Sequence, residues 1–233
     1  MSWKAVKDSP AFQKQLLDEM IAQEKEYLQS HPNSLIPMFC QELRELGFEF
    51  DLYHHVKCFL PKNTKLISPI ALKYYRMAKA EKIENEQLFF MGFLRYRGMD
   101  EVVPELLTEY RSPQSSNTVK WVISDCLYDI HSPKYANEYI EIINNPNYGI
   151  NRQMIVLLVG KLLIEDAIPS LIELLEDDIV CLHAIIALSN FKRNEFRPIF
   201  ERFSSDEHSG KRNYAKKALK QLDNSKMRET TIF

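Results

Sequence analysis

Glycine is scarce, six in 233 residues, and none of it gathers into a phosphate-cradling loop. GxSxG, CxxC and HExxH are also absent, so the usual enzyme classes find no support in motifs. No Gly/Ser or Pro-rich stretch reads as a linker. A length that would fit one extended domain or two compact ones is therefore read as a single domain. Long apolar runs are missing as well. The longest, Met154 to Ile164, is interrupted by Lys161 and falls short of the roughly 20 residues a membrane span needs. The start, MSWKAVKDSPAF, shows neither a basic segment before an apolar core nor a small-residue cleavage site, so a cytoplasmic protein without a secretory signal or membrane segment is expected. Only four cysteines occur, Cys40, Cys58, Cys126 and Cys181, each inside an apolar helical pattern. They read as reduced core residues, not as a disulfide framework. An excess of one charge is missing too: 30 basic against 32 acidic residues argues against polyanion binding by the whole surface and leaves local patches open.

What the chain does have is a period. A Pro followed by apolar residues recurs at Pro37, Pro69, Pro104, Pro169 and Pro198, with Asn137 filling the gap, in steps of 32, 35, 33, 32 and 29. Between these runs an apolar trio at i, i+3 and i+4: Val56/Phe59/Leu60, Phe90/Phe93/Leu94, Ile123/Cys126/Leu127, Ile155/Leu158/Val159, Ala184/Ala187/Leu188 and Ala215/Ala218/Leu219. Its steps are 34, 33, 32, 29 and 31. Spacings of three and four put each trio on one helix face, and a Pro in the first turn costs nothing because its missing N–H would be unpaired there. Each unit is then two helices. The first helices are expected at 34–46, 65–79, 101–111, 133–144, 165–176 and 195–204, and the second at 50–60, 84–97, 117–131, 150–163, 180–191 and 210–222. An amphipathic helix near 10–29, within 1–33, would cap the N-terminal end. Residues 223–233 read as a flexible tail.

These units resemble HEAT repeats. In that family the first helix carries the Pro, an Asp follows in the turn, and a basic residue opens the second helix. Pro169 then Asp177, and Pro198 then Asp206 then Arg212, match this. Asn145 with Arg152, and Ser112 with Lys120, match in part, and the first two units match only the Pro and the trios. The resemblance implies an all-α, right-handed α-solenoid of about six helix pairs over 34–222, with second helices lining the concave side. It names no function.

On that sorting the first helices of units three to five carry mostly acids, Glu105, Glu109, Glu138, Glu141, Glu173, Glu176 and Asp177, with few basic residues except Arg111 near an end. The second helices carry Lys120, Arg152, Lys161, Arg212, Lys216, Lys217 and Lys220 against Asp125 and Asp129. A more basic concave surface is expected. Arg152 and Arg212 open their helices, where the helix dipole disfavours a cation, and a structural ladder of turn Asp or Asn to second-helix Arg is the other reading of them. With the trios buried, Trp121, Val156, Leu157, Ile185 and Ile186 form an exposed apolar strip, the composition of a peptide groove. The expected function is a non-enzymatic scaffold that grips another protein or peptide through Trp121, Asp125, Arg152, Leu157, Lys161, Ile186, Arg212 and Lys216, with no cofactor. DNA or RNA is the alternative partner. His54, His55 and Cys58 could share a helix face, but no second ligand group accompanies them, so no metal is expected. Finally, Trp121, Asp125 and Arg152 are similar to the Trp, Asp and Arg set of HEAT-like alkylpurine DNA glycosylases. That likeness implies Asp125 as the catalytic group steadying a cationic sugar, Trp121 on the lesion and Arg152 on a phosphate.

Overall fold

The computed structural model describes the backbone of residues 10–50 and 53–230, and the side chains within these except residues 10, 11, 13, 54, 57–61 and 225–230. Among the described residues all regular structure is helical. The chain divides into two compact units, Met1–Leu94 and Arg95–Phe233.

In the first unit α1 (Pro10–Ser30), α2 (Ile36–Glu45), α3 (Val56–Ala80) and α4 (Glu84–Met91) surround an aromatic core. Phe39 from α2 meets Phe90 and Phe93 with ring centroids 5.3 Å apart, and Phe89 meets Phe93 at 5.2 Å. Such offset and edge contacts stabilise beyond the area they bury. The residue pattern predicts two separate helices at 50–60 and 65–79. They form instead one helix, α3, kinked where Asn63 leaves helical geometry (φ −129°, ψ 23°) two residues after Pro61. A single distorted residue replaces the expected turn, because Pro61 weakens the helix without a Gly to reverse it.

The second unit is built from pairs. α5 (Val103–Arg111) packs on α6 (Asn117–Ile130), α7 (Ala136–Asn144) on α8 (Gln153–Lys161), α9 (Ile168–Glu173) on α10 (Cys181–Phe191), and α11 (Arg197–Phe203) on α12 (Ser209–Thr230). The second members also pack on one another in succession, α6 on α8, α8 on α10 and α10 on α12. Pro104, Pro169 and Pro198 each fall in the first helical turn, and Asn137 takes the same place in α7. Ser116 caps α6, its hydroxyl accepting the Val119 N–H at 3.2 Å. Residues 223–230, expected as tail, continue α12, and 231–233 lie outside the described residues.

Counting from the first member of each apolar trio gives the register. The trios of α6, α8 and α10 are fully buried, as are Ala215 and Ala218 of α12, whereas Leu219 is only half-buried and Leu222 completes that core. The position after the trio's start is also sealed: Ser124, Val156 and Ile185 have no exposure. Ser124 shows why, since its hydroxyl donates to the Asn151 carbonyl at 2.8 Å, in the turn before the next second helix. Eight residues on, Gly98, His131, Leu163 and Lys192 all take positive φ, from 54° to 99°. Each ends a segment at the same place in the repeat, and only the first uses glycine for a conformation that costs other residues about 1 kcal/mol or more.

Lateral packing is tightest at Gly160 in α8. A Cβ there would stand 2.4 Å from the Ala187 Cα of α10. Gly160→Ala is expected to force the two helices apart. The overpacking costs about 1–3 kcal/mol and outweighs Ala's helix-propensity gain of up to about 1. Urea unfolding of the variant should show a lower midpoint at unchanged slope, and a midpoint equal to or above the parent's would refute this packing.

Candidate functional site

Among the positions that stay open once the trio and its sealed neighbour are removed, three recur at a spacing of four: two before the trio's start, two after it and six after it. They stand four residues apart and so line one stripe along the helix. On α6 the stripe is Trp121, Asp125 and Asp129; on α8, Gln153, Leu157 and Lys161; on α10, Leu182, Ile186 and Asn190; on α12, Asn213, Lys217 and Gln221. All twelve are half-buried or exposed. Four stripes on four successively packed helices make a grid. Leu157, Leu182 and Ile186 give it an apolar middle, Trp121 stands at one corner, and charges lie toward both ends.

Five of the eight expected binding residues belong to this grid: Trp121, Asp125, Leu157, Lys161 and Ile186. Three do not. Arg152 is 2% exposed. Its guanidinium donates to Asp177 Oδ2 at 2.6 Å, to the Ile143 carbonyl at 3.1 Å and to the Gly149 carbonyl at 3.2 Å. Arg212, at the same repeat position, donates to the carbonyls of Asp206 and Glu207 at 2.6 and 3.0 Å. Both cations serve the turns. Lys216 occupies the position that is sealed in the other second helices, and it is exposed because, among the described residues, no helix packs on that flank of α12. Val156 and Ile185, expected in the open strip, are likewise buried in the lateral contacts between second helices. The register also brings in Gln153, Leu182 and Lys217, which the four-residue stripe could have revealed from sequence.

At the α6 end the charges are held in place. Arg95, which precedes the first pair, donates from Nε to Asp129 Oδ2 at 2.8 Å and lies 3.4 Å from Asp125. Burial is the main reason the Asp125 carboxyl titrates above its ordinary value; Arg95 opposes the shift and Asp129 adds to it. The Lys161 ammonium sits over the Tyr128 ring, 3.8 Å from its centroid, and donates to the Tyr128 carbonyl at 3.4 Å. Burial lowers its pKa, against Asp129 and with Arg97. With Arg152 bound to Asp177, the Trp121, Asp125 and Arg152 set has no free phosphate-holding cation. Among the described residues no three His, Cys, Asp or Glu side chains form a metal-binding group. The side chains of His54 and Cys58 lie outside those described. Cys40, Cys126 and Cys181 are free and buried, and burial pushes the Cys40 and Cys126 thiols up to about 12. No described helix is long and apolar enough to cross a membrane. No family model, curated protein or solved structure matches the chain.

Asp177 makes the buried pair titrate. Burial raises its pKa, but the Arg152 guanidinium and the Ile179 and Val180 N–H groups outweigh this, and the net shift is downward. A depressed folded pKa contributes stability that is complete above the unfolded value, about 3.9, and is lost as pH falls through the lower folded value. Asp177→Asn is therefore expected to cost about 2–4 kcal/mol at pH 7, because it leaves Arg152 buried with only carbonyl partners. It should also flatten the loss of stability below about pH 4. Urea unfolding of parent and variant across pH 2.5–7 measures both, and parallel curves would contradict the pairing.

Proposed function

We propose that Arg95–Phe233 is a HEAT-type array whose open second-helix face, the concave side in that family, is a non-catalytic docking surface for a protein or peptide. The observation that carries this reading is the apolar middle of the grid. Leu157, Leu182 and Ile186, with Trp121 beside them, stay half-buried in the free chain, and completing their burial would drive association. A large aromatic at the edge of such a strip is the residue type that most often anchors a partner. The charges around it suit specificity: Asp125 and Asp129 at the α6 end, Lys217 at the α12 end.

Nucleic acid is the weaker reading on the same face. Of the cations it would need, Arg152 is buried against Asp177, Arg212 is held by backbone carbonyls, Lys161 rests on Tyr128, and Lys216 lies off the grid. Phosphate contacts call for several free cations in one groove.

The test is capture by the tagged full chain from its native cell, with and without nuclease, followed by measured affinity for the captured partner. Trp121→Ala is expected to weaken binding by about 2 kcal/mol or more, and Glu173→Lys, on the first helix α9, by well under 1. Affinity should fall little between about 50 and 200 mM salt, whereas phosphate contacts would cost orders of magnitude. Capture lost on nuclease treatment, or damage from Glu173→Lys but not from Trp121→Ala, would overturn the proposal.

A further inference from the structure

A second surface lies off the grid, on one flank of α12. Earlier second helices receive their successors at the positions one and five after the trio's start. Ser124 holds the first of these in α6, donating to the Asn151 carbonyl at 2.8 Å. Gly160 holds the second in α8, against the Ala187 backbone. In α12 the same two positions are Lys216 and Lys220, both exposed. The last trio residue, Leu219, borders them on the core side. Its counterparts Leu127, Val159 and Leu188 are fully buried, whereas Leu219 is half-buried. The flank on which an array stacks its next helix is therefore present in α12, with an apolar side chain there incompletely covered.

The charges of this flank differ from those of the rest of the array. Arg95 on Asp129, Arg111 on Glu141, Arg152 on Asp177 and Arg202 on Glu176 each find a carboxylate about one repeat away, 25 to 34 positions along the chain. Lys216, Lys217 and Lys220 have no hydrogen bond or ion pair among the described residues. The acid nearest to them in sequence, Asp223, accepts from Arg197 at 2.6 Å. Asn213 and Asn224, also exposed on α12, are neutral. The flank is thus a single-sign patch: two lysines one helical turn apart, a third beside them on the grid side, and no acid left to oppose them. Where the array's own cations meet carboxylates of an adjacent repeat, these meet none.

We propose that this flank docks an acidic amphipathic helix of a partner protein, laid along α12 as one further helix of the array. Lys216 and Lys220 stand about 6 Å apart along the axis, the spacing of carboxylates at i and i+4 on a facing helix. An apolar residue between those carboxylates covers Leu219, and the aliphatic stems of the two lysines extend that contact. Exposed ion pairs contribute little one by one. The apolar contact therefore supplies most of the affinity, and the lysines select an acidic partner over an apolar or basic one. A phosphate backbone would pair with the lysines but would leave Leu219 uncovered, so a nucleic acid fits this flank less well. The site shares none of its contacts with the grid, and a partner on one leaves the other open.

The test titrates the full chain into a fluorescein-labelled helical peptide of about 18 residues, built of Ala, Leu and Glu with Glu at every fourth position beside a row of Leu. Three controls accompany it: the same peptide with Gln for Glu, the same composition in shuffled order, and a single-stranded DNA of similar length. Saturable anisotropy with the acidic helix is expected. The double variant Lys216→Glu/Lys220→Glu should raise its Kd at least about tenfold and Leu219→Ala at least about threefold. Trp121→Ala should leave it within about twofold, which separates this flank from the grid. Circular dichroism checks each variant, and if Leu219→Ala fails to fold, the exposed lysine pair decides alone. Absence of saturable binding, equal binding of the Gln or shuffled peptide, tighter binding of the DNA, or equal loss on Trp121→Ala would overturn the proposal. Self-association of the chain, abolished by the lysine double variant, would replace the partner with a second copy and overturn it too.

Discussion

The second unit depends on how closely successive second helices approach. Gly160 lets the α8 backbone meet that of α10 with no side chain between them, and at this separation the position after each trio's start is sealed as well as the trio itself. Lateral packing therefore consumes two flanks of every internal second helix. The stripe of four-residue spacing is among the positions that stay open. A looser stack would have exposed Val156 and Ile185 and made a broader, greasier face; this one leaves a grid in which each side chain is already half-supported by its neighbours. The same register explains the basic surface of α12. Lys216 and Lys220 fall on the flank that Ser124 and Gly160 use for the next helix. Charges there make the stacking of an apolar helix on that flank unfavourable.

Much of this is legible in the residues. The recurrence of Pro and of the apolar trios places the helices of the second unit closely, because a buried face returning every 29 to 34 residues is the mark of helix pairs that must stack to cover it. Where pattern and structure part, the causes are physical. Periodicity reports which face of a helix is covered but not by how many neighbours, so Val156 and Ile185 read as solvent-facing although a second helix covers them. Arg152 reads as a groove cation because its partner, Asp177, lies 25 residues on, in the following unit; local spacing suggests a turn contact within one unit, whereas the bond ties one unit to the next. Pro61 and Asn63 look like a full turn, and the chain accommodates both inside one kinked helix.

If the grid is the docking surface proposed, its charges carry a consequence for recognition. A freely solvated ion pair has to be dehydrated before a partner can use it, and that cost often cancels the attraction gained. Asp125 and Asp129 are already gathered by Arg95, and Lys161 is already drawn onto Tyr128 and partly desolvated. Part of their hydration and side-chain entropy is already given up in folding, so a partner of the proposed kind would meet groups that are partly positioned. Such groups add little raw affinity, since much of their charge is neutralised within the chain. They would penalise a misplaced partner charge more than unpaired side chains would, because moving aside breaks the contacts to Arg95 and Tyr128. Affinity then rests on the apolar middle, where Leu157, Leu182 and Ile186 lie between the α6 acids and Lys217, and orientation rests on the ends. A segment with an apolar centre, a basic end toward α6 and an acidic end toward Lys217 meets both demands. The same segment reversed would face like charge at each end while keeping every apolar contact, and that difference would let a small grid of the proposed kind select one direction of binding.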